Sequence, residues 1–402
     1  MFTAYLQRRQ TPIPPDSDPF YTAPSRLADI QPGDILGHRP APYPIMSLNT
    51  TIPNIAAAYQ ILFRTTDGNV NAEAAVTTLL VPKKADPWKL LSYQMAEDAA
   101  YSDCAPSIVL QKSSTGNIRD VETVFIEAAL KKGWCVVVPD FEGSKSAYVA
   151  GPQAGYTVLD SLRAVLKSHA FSDIVEEPRI ALWGYSGGAF ATNWALELQE
   201  GYAPELRFVG AATGGTINNI GNAIENINKR PYAGLVAAGL MGLGAAYPDF
   251  AEFLEGEFVP ETEAKFKSVL TQCSSVTQTE FAGQDILAYF KDGAALLNAS
   301  VVKSTFEKVN LGKHVPITPL YVYKAVHDEI SPIADTDVLL EYYCAGNASV
   351  EYKRDLVAGH VTLAITGAGE ALAWLDDRMA GKPARVGCSN STGVSTVLDP
   401  VG

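Results

Sequence analysis

Eight short apolar runs recur along this chain with helix-like segments between them, and that alternation restricts the fold more than any other feature. The runs are 58–64, 75–81, 89–93, 134–139, 180–184, 208–213, 320–324 and 350–353. Several, such as WCVVVP at 134–139, are apolar almost without a break, as strands covered on both faces must be. Between them, DVETVFIEAALKKG has apolar residues at helical spacing, basic residues in its last turn and a glycine stop at Gly133. A second helix is expected over 153–169. Strands alternating with helices predict an α/β fold with a doubly wound, mostly parallel sheet.

One connection breaks the rhythm. Roughly 100 residues lie between the run ending at 213 and the one beginning at 320, far more than an ordinary crossover uses. Patterns such as PDFAEFLEGEF and VPETEAKFKSVLTQC predict a mainly helical cap or lid over 217–316. The core is then expected in two parts, 1–216 and 317–402, with 1–17 as a flexible, proline-rich leader.

Within this pattern, RIALWGYSGGAFATNWALEL carries a Gly-x-Ser-x-Gly string around Ser186. Such a string arises by chance on the order of once per ten chains of this length, so context must decide. A nucleophile elbow needs a strand, a tight turn that exposes the serine, and a helix whose N-terminus points at the reacting carbonyl. IALWG reads as the strand, Gly184, Gly187 and Gly188 allow the close turn, and AFATNWALELQ reads as the helix. All three parts are present, which is the arrangement of an α/β-hydrolase fold.

A serine hydroxyl is a weak nucleophile near neutral pH and needs an imidazole base oriented by a carboxylate. The order serine, acid, histidine leaves His314, His327 and His360 of the five histidines. His360, in DLVAGHVTLAI, follows the last predicted strand and precedes the final helix, where this order places the base. Asp328 is the first carboxylate in the loop after 320–324, with Glu329, Asp335 and Asp337 as rivals. The oxyanion hole takes one backbone N–H from Gly187 and a second from SYQMAEDAAYSDC, within which the residues alone do not choose.

The chain carries a formal net charge of -13, which disfavours nucleic acid and anionic membrane surfaces as partners. Its longest near-apolar stretch, 232–247, is too short and glycine-broken to span a bilayer. Five cysteines suit a large secreted enzyme with one or two bridges. Cys135, inside a predicted buried strand, is the expected free thiol. Sequons begin at Asn49, Asn298, Asn347 and Asn390. A secreted, extracellular protein is therefore expected, its start MFTAYLQRRQ lacking the apolar core of a signal peptide.

These residues resemble the fungal secretory lipase family, which also includes trichothecene esterases. The likeness runs from Asp18 to Cys388 through YQMAEDA, DCAPS, VVVPDFEGSKSAYVAG, GYSGGAFAT, YAPEL, YPDFAEFLE and HDEISP. It implies a triad of Ser186, Asp328 and His360, with Asp98 as the second oxyanion donor beside Gly187. It also implies bridges Cys104–Cys273 and Cys344–Cys388. Members with a longer chain after the last cysteine carry a flap over the site, whereas 14 residues follow Cys388 here, so a wider pocket is expected.

The reading is an ester hydrolase working through an acyl-enzyme on a small-molecule ester, as a monomer and with no metal or organic cofactor. A bulky alcohol bearing a short acyl group, as in trichothecene deacetylation, is the leading substrate class. A long-chain triacylglycerol lipase is the alternative, with YAGLVAAGLMGLGAAY either lining an acyl tunnel or serving as a buried lid helix. A peptidase is a third option, and a non-catalytic binding module on the same fold is the reading from another class.

Overall fold

A computed structural model describes residues 11–112 and 118–395, the side chains of 118–120 excepted. Its strands are β1 (Ile35–Pro40), β2 (Met46–Ser47), β3 (Thr50–Thr51), β4 (Ile55–Thr66), β5 (Ala72–Pro82), β6 (Asp86–Gln94), β7 (Trp134–Pro139), β8 (Arg179–Tyr185), β9 (Phe208–Gly214), β10 (Leu320–Ala325), β11 (Val350–Asp355) and β12 (Cys388–Gly393). Ten of them form one sheet in the order β1-β4-β5-β7-β6-β8-β9-β10-β11-β12. From β7 to β12 neighbours run parallel, and β1, β4 and β5 extend the sheet antiparallel.

Every residue of β7 is buried, because helices cover both faces and the strand's period of two divides its side chains between them. Cys135 and Val137 pack with Val158 and Leu162 of the helix Gly151–Leu166 and with Phe190 and Trp194 of Gly187–Tyr202. Trp134, Val136 and Val138 turn the other way, toward Phe125 and Leu130 of Ile118–Lys131 and Leu372 and Leu375 of Ala368–Met379. All eight predicted runs are strands. Apolar runs did not announce the two edge strands: β12 is polar and mostly open to solvent, and β1 is short, mixed and half-buried. One face of an edge strand needs no cover, so its composition carries little signal.

Between β9 and β10 the chain forms the helices Ile220–Ile227, Gly234–Ala246, Pro248–Glu257, Pro260–Phe266, Ser274–Phe281 and Ser300–Val309. Among the described residues its only β contact is a bridge between Phe258 and Phe290. Its return to the sheet is anchored on the helix Gly187–Tyr202. The Trp194 indole donates to the Val309 carbonyl at 2.9 Å, and Glu197 accepts the N–H groups of Gly312, Lys313 and His314 at 2.7, 2.7 and 3.0 Å. Three amides on one carboxylate hold it without a cation.

Of the expected leader, residues 1–10 lie outside the described residues, while Pro12 is buried and Pro15–Ser17 forms a 3-10 turn. Disulfides join Cys104 to Cys273 and Cys344 to Cys388. Cys135 is a buried free thiol, which burial and then the nearby Asp86 charge push up to about 12. Asn49, Asn298, Asn347 and Asn390 are all exposed. No helix among the described residues is long and apolar enough to cross a membrane.

Candidate active site

β8 ends at Tyr185, and Ser186 follows at φ 54°, ψ −120° as the N-cap of the helix Gly187–Tyr202. A non-glycine residue at positive φ is strained and persists only when its surroundings dictate it. Here the Ser186 N–H donates to the Gly214 carbonyl at 2.9 Å, tying the turn to the end of β9. A side chain at Gly188 would run into the carbonyl of Gln94, and one at Gly184 into that of Gly188. The turn therefore closes only with glycine at both positions, and the serine is left partly exposed at its crest.

His360 begins the helix His360–Thr366 after β11. Its Nε2 lies 2.8 Å from Ser186 Oγ, and its Nδ1 lies 2.8 Å from Asp328 Oδ2. The backbone of His360 is fixed on both sides. Its N–H donates to Glu329 Oε2 at 2.6 Å, and its carbonyl accepts from Tyr185 Oη at 2.5 Å. Asp328 Oδ1 accepts the N–H groups of Ile330 and Ser331 at 2.9 and 2.8 Å. Burial works to raise the Asp328 carboxyl, but the charges of His360 and Lys324 and the bonds from the imidazole and the Ser331 amide outweigh it. The group is held well below the usual carboxylate range.

The rival residues are occupied elsewhere. Asp335 accepts from Asn222 at 2.7 Å, Asp337 from Tyr352 and Arg354 at 2.9 Å each, and Glu329 holds the His360 backbone rather than its ring. His314 and His327 are exposed. Asp98, in the loop after β6, has φ 50°, and its carboxylate lies directly against the α-carbon of Gly187. The two residues expected to supply oxyanion donors are thus neighbours.

Ser186 and His360 open into a cavity of about 430 Å³ whose walls include Ala96, Asp98, Tyr232 and Leu235. The segment after β9 forms one side of it through Tyr232, Leu235, Ser275 and Gln278. A second, apolar cavity of about 40 Å³ shares Leu235 and Ile330 with the first and is otherwise lined by residues such as Ile220, Ile224 and Leu243. Among the described residues no group of three His, Cys, Asp or Glu side chains is placed to hold a metal ion.

Sequence reasoning passed over Lys324, whose ammonium lies 3.0 Å from Asp328 Oδ2. The signal was a single charge inside an otherwise apolar strand, which must find a partner if buried. Glu329 and Tyr185 carry no such mark, since each acts through a contact made between distant parts of the chain.

The secretory lipase family profile matches residues 110–387. Lipase A of Arthroderma benhamiae is 40% identical over 400 residues, 98% of this chain and 85% of its own length. The trichothecene C-3 esterase of Fusarium sporotrichioides is 39% identical over 384 residues, 91% of this chain and 84% of its own. The crystal structure of Candida antarctica lipase A in its closed state superposes with a TM-score of 0.87 at 30% identity, over 97% of this chain and 91% of that one.

Proposed function

The chain belongs to the secretory lipase family and is a carboxylic ester hydrolase, and from that premise we propose that it is a secreted esterase acting through an acyl-enzyme on Ser186. The observation that carries this reading is the unbroken line from Ser186 Oγ through His360 to Asp328, with both links at 2.8 Å.

In the first step Ser186 Oγ attacks the ester carbonyl while His360 Nε2 takes its proton. Asp328 stabilises the imidazolium that results. The carbonyl oxygen becomes an oxyanion facing the N–H groups of Gly187 and Asp98 at the N-terminus of the helix Gly187–Tyr202, where the helix dipole adds to the attraction. His360 then protonates the leaving alkoxide, and the alcohol departs. Water enters, gives its proton to His360 and attacks the acyl-serine. Collapse of the second tetrahedral intermediate releases the acid and restores Ser186.

The cavity sizes favour a bulky alcohol carrying a short acyl group. The chamber of about 430 Å³ suits a compact polycyclic alcohol. The adjoining apolar space between the helices Ile220–Ile227 and Gly234–Ala246 is much smaller, about 40 Å³. A long acyl chain would have to part the helices Ile220–Ile227 and Gly234–Ala246, which act as a cap in this reading. Deacetylation of a trichothecene, the substrate in the name of the Fusarium relative, fits these dimensions.

A p-nitrophenyl ester series from acetyl to octanoyl, run beside an acetylated trichothecene and tributyrin, tests the reading. A flat or falling kcat/KM with chain length, and acetate release faster than tributyrin hydrolysis, is expected. Each methylene entering a fitted apolar tunnel would add up to about 0.8 kcal/mol, so a steep rise identifies a long-chain lipase instead.

A further inference from the structure

The six residues of β10, Leu-Tyr-Val-Tyr-Lys-Ala, are all buried, and Lys324 has no exposed surface. An ammonium in such a place is tolerated only when paired and hydrogen-bonded. Its Nζ lies 3.0 Å from Asp328 Oδ2 and donates to the Thr216 carbonyl at 2.9 Å. The same Oδ2 receives His360 Nδ1. Hydrolysis by serine, histidine and aspartate requires no cation on the acid, so this fourth buried group is unused by the mechanism above.

We propose that Lys324 is a positioning residue that clamps Asp328 against the chain where it leaves the sheet at Thr216, and offsets part of the carboxylate's charge. The acid limb of the pH–activity profile is then set in part by this clamp. The inference rests on the triad reading above.

Among the described residues, the other titratable groups around His360 and its partners come from several elements and are acids or phenols, Asp98 and Glu122 lining the same cavity. Glu329, after β10, accepts the His360 N–H. Tyr185, at the end of β8, stacks edge-on at 5.2 Å between ring centroids. Tyr232, from the segment after β9, is under the influence of Glu329 and Asp328. Asp335, in the helix Ile333–Ala345, acts on Lys324, and Asp355, ending β11, acts on Tyr185. Each acid in this set adds negative charge around the site. Lys324 is the member of the set that opposes it. Burial pulls the Lys324 ammonium downward, and the charge of Asp328 works against that pull.

The test is the kcat/KM–pH profile on p-nitrophenyl butyrate for the parent enzyme, Lys324→Met and Lys324→Arg. In Lys324→Met the acid limb is expected to move up by about one pH unit, because the carboxylate's charge is no longer offset by a neighbouring cation. Arg keeps the charge, so Lys324→Arg should stay with the parent. An acid limb unmoved in Lys324→Met, or moved equally in both variants, overturns the proposal. Should Lys324→Met fail to fold, the parent labelled with ¹⁵Nζ-lysine gives an independent reading. An exchange-protected ammonium signal across the acid limb is expected, and a neutral amine there overturns it. Ser186→Ala separates the two claims: surviving activity removes the triad reading itself, whereas its loss beside an unmoved Lys324→Met profile removes only the role of Lys324.

Discussion

Two aspartates follow parallel strands of the same sheet, Asp140 after β7 and Asp328 after β10, and both are buried. Their chemistry is opposite. Among the described residues, Asp140 meets only neutral donors. Ser107 gives it an N–H at 2.8 Å and a hydroxyl at 2.5 Å, and that hydroxyl in turn meets Tyr21 Oη at 2.7 Å. Burial pushes the Asp140 carboxyl up to about 7 against those bonds. Asp328 has comparable burial but faces Lys324 and His360, and is held far below its ordinary value. Burial alone therefore does not fix the charge of a carboxylate. The charge of the partner decides whether the carboxylate is present to stabilise an imidazolium.

The largest expected effect sets the scale. Ser186→Ala should lower kcat by roughly a million-fold with folding intact, and a fluorophosphonate probe that labels the parent should leave this variant unmodified. Retention of more than a small fraction of activity would break the comparison at its root, because no triad would be there for Asp328 to serve.

Next, Asp328→Asn should cost of order ten-thousand-fold in kcat by leaving the imidazole in the wrong tautomer, whereas Asp140→Asn should change kcat by no more than a few-fold. Equal losses in steady-state kinetics would erase the distinction between the two acids. Glu329→Gln keeps an acceptor for the His360 amide, so a loss of no more than about tenfold is expected. A loss larger than that of Asp328→Asn would move the acid role to Glu329.

The smallest effect lies in stability, and its sign differs between the two sites. Asp140, with its carboxyl raised when folded, contributes stability that is complete below pH ~4 and is lost as pH rises toward about 7. Asp328, lowered when folded, contributes stability above pH ~4 that is lost as pH falls. Calorimetry of Asp140→Asn should therefore show a flatter Tm between pH 4 and 8 than the parent. The difference corresponds to a few kcal/mol at most. A parent whose Tm is no more pH-dependent than the variant's would show that Asp140 is ionised despite its burial.

The elbow was legible because each of its parts is local. An apolar run, three glycines and a helical pattern occupy about twenty consecutive residues, and strand burial on both faces writes itself as uninterrupted apolar sequence. The edge strands β1 and β12 were not legible, since solvent on one side removes that signature. Within the loop after β10 the sequence favoured Asp328 without excluding its rivals. Asp328 and Glu329 are adjacent, and only the approach of His360 from 32 residues away shows which of them meets the ring. That imidazole in turn reaches a serine 174 residues distant in sequence.

By itself, then, the amino-acid order determined the parallel sheet, the tight glycine turn around Ser186 at the end of β8, the order of serine, carboxylate and histidine along the chain and the helical character of the long connection. These depend on periodicity and turn chemistry within short windows. Tertiary structure alone decided that Lys324 pairs with Asp328, that Asp140 is met by the neutral donors of Ser107, and that a cavity of about 430 Å³ opens beside Ser186. Charge state and cavity shape depend on distances of a few ångströms between chain segments that no local pattern relates, because electrostatic coupling and packing act through space rather than along the backbone.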